Sequence, residues 1–444
     1  MTTDRWLWLL IGMGLLLRVG WLVYRADDLA ADPDAYVGHA RTLVESGCYC
    51  VPGSNHPTAY RPPLYPLLLA GLMVFGVSSA AAIVVINLAA SVVTTAAAWQ
   101  LCVTAGVIAT GRRIGVFMVL ADPLLLRYTS LPMTEVLCAA LLAVAVTTFL
   151  RATTEGTPDR TALGERSGSF SRQVLFAAIV SGICFGLCAL ARPTVLVTSA
   201  LLIGTRGLQI VWQRLRSRRA APFRNGLWRS VAAAMVVGVC AGLVLLPWIV
   251  RNLLQFHSFI PATTHGGYTL LLGNNAVFYE EVVRVDGHPP WSGKSLDRWQ
   301  RAVQQEMAHT IPPGTSEPAE DQWMYARAQQ EIRGDPEGFL YACLLRWKRF
   351  WAVLPESVDG SLPLPMRLLS TCWYGGLWIG LAATMLFPAI RRRSHVQLMW
   401  SAILSFLLLH TVYWTNTRMR APLTAVLVVL AVTGWQHLLT GRKP

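Results

Sequence analysis

The chain has 444 residues, 54% of them hydrophobic and 14% charged, which excludes a soluble globular protein, since apolar runs of about 20 residues belong in hydrocarbon. The net charge of +14, from 38 Lys and Arg against 24 Asp and Glu, does not indicate nucleic-acid binding. The arginines cluster in short loops between apolar segments, where anionic lipid headgroups are their natural partners.

In chain order, the first apolar segment covers 7–24. Val23, Tyr24 and Arg25 follow it with no small-residue cleavage site, so it reads as an uncleaved anchor. Trp21 and Tyr24 mark its outer interface, and Arg18 either snorkels to that interface or faces the protein interior. The stretch 32–66 is too polar to cross a bilayer and is the expected active-site loop. Asp32 followed by Pro33 predicts a helix start, with the carboxylate as N-cap and the proline at the first helical position. Tyr36, Val37, Ala40, Leu43 and Val44 continue at helical spacing to Gly47, which can take the left-handed C-cap conformation.

Asp34 then falls in the first turn, where the helix dipole favours an ionised carboxylate suited to act as a base. Both aspartates are also explained as cap and first-turn acids; we take that reading for Asp32 and a functional one for Asp34. Together they form a D-x-D, the pattern with which soluble nucleotide-sugar enzymes hold a metal. Two carboxylates alone supply too few oxygens for a divalent cation, so a cation is an option and no metal ligand is assigned.

Further spans are expected near 80–103, 114–127, 132–150, 174–191, 194–212, 231–250, 368–390, 396–414 and 421–439, ten in all. The apolar run 64–75 is too short and reads as re-entrant or interfacial. With ten spans and an inside N-terminus, the basic clusters at Arg112 and Arg113, 151–172, 214–229, 391–393, and Arg442 with Lys443 all fall inside. Counting 64–75 as a span would place them outside. The expected class is an all-α multi-pass protein of the plasma (inner) membrane: a core over 1–250 with its site loop at 25–79, an outer-face region over 251–366, and C-terminal spans over 367–444.

Within the outer region, 295–309 and 318–333 have helical patterns, and Asp335 with Pro336 repeats the cap-plus-proline start. The helix they open mixes arginines with Leu344, Leu345, Trp347 and Phe350, the composition of an interfacial helix. Of nine cysteines, most lie inside spans as small apolar residues, and Cys48 and Cys50 in the outer loop receive no role. Glu135 sits near the outer end of the fourth span. A first-turn acid after Pro132 is the plain explanation, but an ionisable group at that depth is costly unless paired, which favours function.

These residues and motifs resemble the GT-C glycosyltransferases, close to the dolichyl-phosphate-mannose protein mannosyltransferases and the bacterial lipid A aminoarabinose transferases. The resemblance covers nearly the whole chain. It rests on Asp34, Tyr36, Ala40, Leu43, Gly47 and Tyr49, then PTAYRPPLYP at 57–66, SLPMTEVL at 130–137, LARP at 190–193, PWIVRN at 247–252, GGYTLLLGNN at 266–275 and TRMRAP at 417–422. It implies a bundle of about ten transmembrane helices, with inverting transfer of a sugar from a polyprenyl-phosphate carrier to a hydroxyl of a protein, lipid or glycan on the outer, periplasmic face. Asp34 is then the base, with Glu135 as its rival or partner. Ala35 stands where the mannosyltransferases often have glutamate.

A lipid-phosphate leaving group calls for guanidiniums. Arg61, Arg192, Arg251, Arg418 and Arg420 all lie at outer ends of spans or in outer loops and are the expected donor-phosphate ligands, with Tyr36 and Tyr60 as substrate contacts. Snorkelling explains any one such arginine but not the group. His265, in the polar turn TTHGG, is more simply a loop histidine than a ligand. Two other classes fit in part: a lipid-linked oligosaccharide ligase or polymerase, and a secondary transporter, for which paired repeats and broken mid-membrane helices are not evident.

Overall fold

The computed structural model describes residues 5–154, 171–216, 221–354 and 364–441. The N-terminal half runs α1 (Arg5–Tyr24), α2 (Tyr36–Ser46), α3 (Leu64–Met73), α4 (Ser79–Thr104), α5 (Ala109–Leu120), α6 (Pro123–Thr129), α7 (Glu135–Thr153), α8 (Arg172–Ala191), α9 (Val195–Arg216) and α10 (Ala221–Phe256). Then come α11 (Gly266–Gly273), α12 (Lys294–Thr310), α13 (Glu317–Gly334), α14 (Pro336–Phe350), α15 (Leu364–Leu386), α16 (Ser394–Val412), a 3-10 turn (Thr417–Leu423) and α17 (Thr424–Thr440). The only strand-like pairing among the described residues is a bridge between Cys50 and Pro57. Eight helical stretches among these residues are long and apolar enough to cross a membrane, so the chain is an integral membrane protein.

The expected third span is two helices, broken at Ala121 and Asp122. Asp122 accepts a hydrogen bond from the amide of Leu125 (3.0 Å) with Pro123 in the first turn, so α6 starts afresh. The chain still traverses the bundle there. Near the far end of α4, Arg151 donates to Gln100, while at the other end Ser130 donates to Asp28 just after α1 (3.0 Å). The remaining expected span, 368–390, is the 23-residue α15, and the apolar run after Pro63 is only the 10-residue α3. Arg18 faces inward, donating to Thr129 and to the carbonyl of Leu125.

Small residues let the helices approach, as hydrocarbon-facing bundles require. A Cβ at Gly182 of α8 would lie 2.5 Å from the carbonyl oxygen of Val237 on α10, and one at Gly186 would lie 2.9 Å from that of Ala241. This contact holds the end of α8 from which Arg192 projects.

Arg206 donates to Ser394 and Ser230, and Ser230 donates to the carbonyl of Thr153, which gathers the ends bearing the basic loops. Arg160, Arg218, Arg442 and Lys443 lie outside the described residues. If the basic end is cytoplasmic, single cysteines at Ser54 and Gly287 are expected to react with a membrane-impermeant thiol reagent in intact cells, and one at Arg392 is not, in a background lacking Cys48 and Cys50. Labelling at 392 without labelling at 287 would reverse the orientation.

Candidate functional site

Helix α2 does not start where the Asp32–Pro33 pair predicts. Its first residue is Tyr36, and Asp32 caps it from further upstream, accepting from the amides of Val37 (3.1 Å) and Gly38 (2.8 Å). Ala35 between them is left-handed, with φ of 59°, at a cost of roughly 1–2 kcal/mol for a residue with a Cβ. Asp34 therefore stands ahead of the helix and not in its first turn. Since both Asp32 oxygens are held by backbone, the D-x-D does not present two free carboxylates. Among the described residues no group of three or more His, Cys, Asp or Glu side chains is assembled to hold a metal ion. Gly47 closes α2 in the left-handed conformation, its amide donating to Leu43.

Asp34 sits between two guanidiniums: Arg61 at 3.1 Å on one oxygen and Arg418 at 2.7 Å on the other. Arg418 also donates through Nε to Oε1 of Glu135, and Arg192 reaches the same oxygen at 3.2 Å. Glu135 is fully buried at the first turn of α7, and its Oε2 has no hydrogen-bond partner among the described residues. Arg192 follows the last residue of α8, while Arg418 lies in the 3-10 turn before α17, whose start is capped by the Asn416 side chain (3.1 Å to the Arg418 amide). The site thus joins the first loop, two helix ends and a C-terminal turn. Two carboxylates face three guanidiniums, leaving one positive charge in excess. Burial tends to raise the Asp34 carboxyl, but the charges of Arg418 and Arg61 outweigh it and hold Asp34 below the ordinary aspartate value.

One wall is aromatic. Tyr60 lies edge-on to His265 (4.3 Å between ring centres) and beneath the Arg61 guanidinium (5.3 Å), and His265 Nε2 is 3.4 Å from Arg61. Burial, followed by the charge of Arg61, pushes the His265 imidazole down to about 3, so it is neutral at physiological pH. Tyr36 is buried, edge-on to Tyr65, with its ring 6.0 Å from the Arg61 guanidinium.

Two of the five expected arginines are engaged elsewhere. Arg420 is buried against carbonyls, donating to Phe350 (2.7 Å) and Ala352 (2.6 Å), with its guanidinium 4.3 Å from the centre of the Tyr374 ring. Arg251 donates to the carbonyls of Tyr49 (2.8 Å) and Thr58 (2.9 Å) and braces the site loop from behind. Both lie near span ends as expected, but what each meets depends on the face it occupies.

Glu317 escaped the sequence reading. From the first turn of α13 it accepts from the Thr58 hydroxyl (2.5 Å), the Ala59 amide (2.8 Å) and the Thr264 hydroxyl, tying the outer region to the site loop across 259 residues of chain. Its only sequence signal is an acid beside Pro318, which a helix start already explains. Cys48 and Cys50, given no role, form a disulfide. Tyr49 between them donates to the carbonyls of Arg61 (3.1 Å) and Pro62 (3.3 Å).

No protein-family model and no curated protein matches the chain. Solved structures do. The archaeal oligosaccharyltransferase AglB from Archaeoglobus fulgidus, in complex with an inhibitory peptide and a dolichol-phosphate, superposes with a TM-score of 0.55 at 13% identity over 98% of this chain and 51% of that one. The apo oligosaccharyltransferase of the same organism gives 0.55 at 14% identity, over 99% of this chain and 53% of that one. ArnT from Cupriavidus metallidurans bound to undecaprenyl phosphate gives 0.43 at 14%, over 98% and 79%. The chain spans about half the length of the oligosaccharyltransferase and shares its fold over that length.

Proposed function

We propose that the protein transfers a sugar from a polyprenyl-phosphate donor to an acceptor hydroxyl at the outer face of the membrane, with inversion. The observation that carries this reading is the chain Arg61, Asp34, Arg418, Glu135, Arg192, set at one end of a bundle with the GT-C fold. Its excess positive charge suits one phosphodiester. Guanidiniums bind phosphate through parallel donors and stabilise the charge that grows as the sugar departs. In this reading, donor phosphate draws Arg418 and Arg61 partly away from Asp34. Asp34 thereby regains basicity where the acceptor proton is to be taken, while buried Glu135 keeps Arg418 and Arg192 in place. Tyr60, neutral His265 and Tyr36 line the substrate side, and no metal ligand is assigned.

Transfer of an oligosaccharide from a diphosphate carrier is the second reading, favoured by the better superposition on an oligosaccharyltransferase. A diphosphate would bring more negative charge than this cluster offsets. Mass spectrometry of lipids that copurify with the protein separates the two by the mass of the carrier headgroup.

Replacing Arg61, Arg192 or Arg418 by alanine is expected to weaken binding of a polyprenyl-phosphate sugar by about 1.5–3 kcal/mol each, the scale of a hydrogen bond to a charged group. Titration of the protein in nanodiscs measures it. Parent-like affinity in all three variants would remove the phosphate from this cluster.

A further inference from the structure

Beside the site loop lies a cavity of about 520 Å³ between α2, α3, the end of α8 and α10. Leu43, Leu67, Leu190, Val244 and Trp248 line it, and its volume is within the range of about 300–1,000 Å³ usual for small-molecule sites. It adjoins surface that hydrocarbon covers. Leu67 at its wall is 46% exposed, and Leu246, Val250 and Leu253 along α10 are 44–49% exposed on a helix apolar enough to span.

Arg251 stands in its lining one turn beyond Pro247, near the outer end of that span. The guanidinium lies among three rings, Trp248 at 5.0 Å, Phe256 at 5.4 Å and Tyr49 at 5.8 Å, and donates to the carbonyls of Thr58 and Tyr49 and to the Asn252 side chain. No carboxylate among the described residues lies within ion-pair distance of it. Glu317, on the same Thr58–Ala59 stretch, offsets part of the Arg251 charge without pairing with it. An apolar cavity beside a guanidinium without an ion-paired carboxylate, near the end of a span, suits a lipid with an apolar chain and an anionic phosphate.

We propose that this cavity binds an acidic bilayer phospholipid, with one acyl chain in the cavity and its phosphate on Arg251. The inference does not depend on the role of Asp34.

The test uses full-length protein in nanodiscs of equal phosphatidylglycerol and phosphatidylcholine, released and analysed by native mass spectrometry, with titration of polyprenyl-phosphate sugar in parallel. The parent should retain phosphatidylglycerol in preference to phosphatidylcholine. Arg251→Gln should lower that preference roughly five- to tenfold, as expected for loss of a basic residue from a headgroup site. Val244→Trp and Leu67→Trp, which fill the cavity from opposite walls, should abolish retention of either lipid and leave donor binding unchanged. Leu67 is half-exposed, so its variant keeps the test open should Val244→Trp fail to fold. Absence of preference in the parent, or parent-like retention in the filled variants, would overturn the assignment. So would loss of donor binding in step with lipid, because the cavity would then belong to the donor.

Discussion

Asp34→Asn is expected to bind donor as the parent does and to lose two to four orders of magnitude in turnover, on the order of a general-base contribution. Asparagine keeps the size and an oxygen for one guanidinium but removes the charge that accepts a proton. The position of Asp34 makes it the exposed member of the pair: its side chain is 16% accessible, whereas that of Glu135 is wholly buried. An acceptor arriving from outside can reach the first and not the second. The two guanidiniums that hold Asp34 below its ordinary pKa also keep it ionised through the physiological range, and a base must begin unprotonated. Asp32→Asn is the control, since Asp32 caps α2 and should affect stability alone. Turnover is to be measured on membranes whose donor binding has been verified. Parent-like turnover in Asp34→Asn would overturn the assignment and leave Glu135 as the remaining carboxylate, reachable only after a rearrangement that uncovers it.

Glu135→Ala should be the most destabilising single change at the site, by about 3–5 kcal/mol, the scale of breaking a buried ion pair from one side. Its carboxylate oxygen serves Arg192 and Arg418 together. With it gone, among the described residues Arg192 keeps the sulfur of Met419 at 3.0 Å as its hydrogen-bond partner, and Arg418 keeps Asp34 and the ring of Tyr128. Glu135→Gln retains an oxygen acceptor at the same place and should cost less than half as much. Thermal unfolding in one fixed detergent resolves the ranking, and equal melting points for the alanine and glutamine variants would mean that the charge of Glu135 does not hold the arginines.

The dipeptide Asp-Pro occurs three times at expected or observed helix starts and shows how far local reading reaches. At Asp335–Pro336 it opens α14 as predicted, with the carboxylate accepting from the amide of Gly338 at 2.8 Å. At Asp122–Pro123 the same signal breaks an apolar run that hydropathy alone joins into one span. At Asp32–Pro33 the carboxylate reaches five and six residues ahead, and the helix begins late. The first two outcomes follow from one turn of backbone. The third depends on the left-handed Ala35, a conformation that short-range preference does not select.

Composition and near neighbours suffice for an all-helical membrane chain, most of its spans, the caps at Gly47 and Asp335, and the acidic and basic residues from which a site could be built. Tertiary structure alone decided which of them meet. Arg418 and Asp34 are 384 residues apart, and Glu317 and Thr58 are 259 apart. Among five arginines at similar depth, three turn to carboxylates and two to backbone carbonyls and rings. Depth is written in the hydropathy of the flanking segment, whereas the face a side chain meets is set by how the helices pack, through contacts such as those of Gly182 and Gly186 with α10. Those contacts are short-ranged and depend on the positions of many residues at once, so no single stretch of sequence carries them.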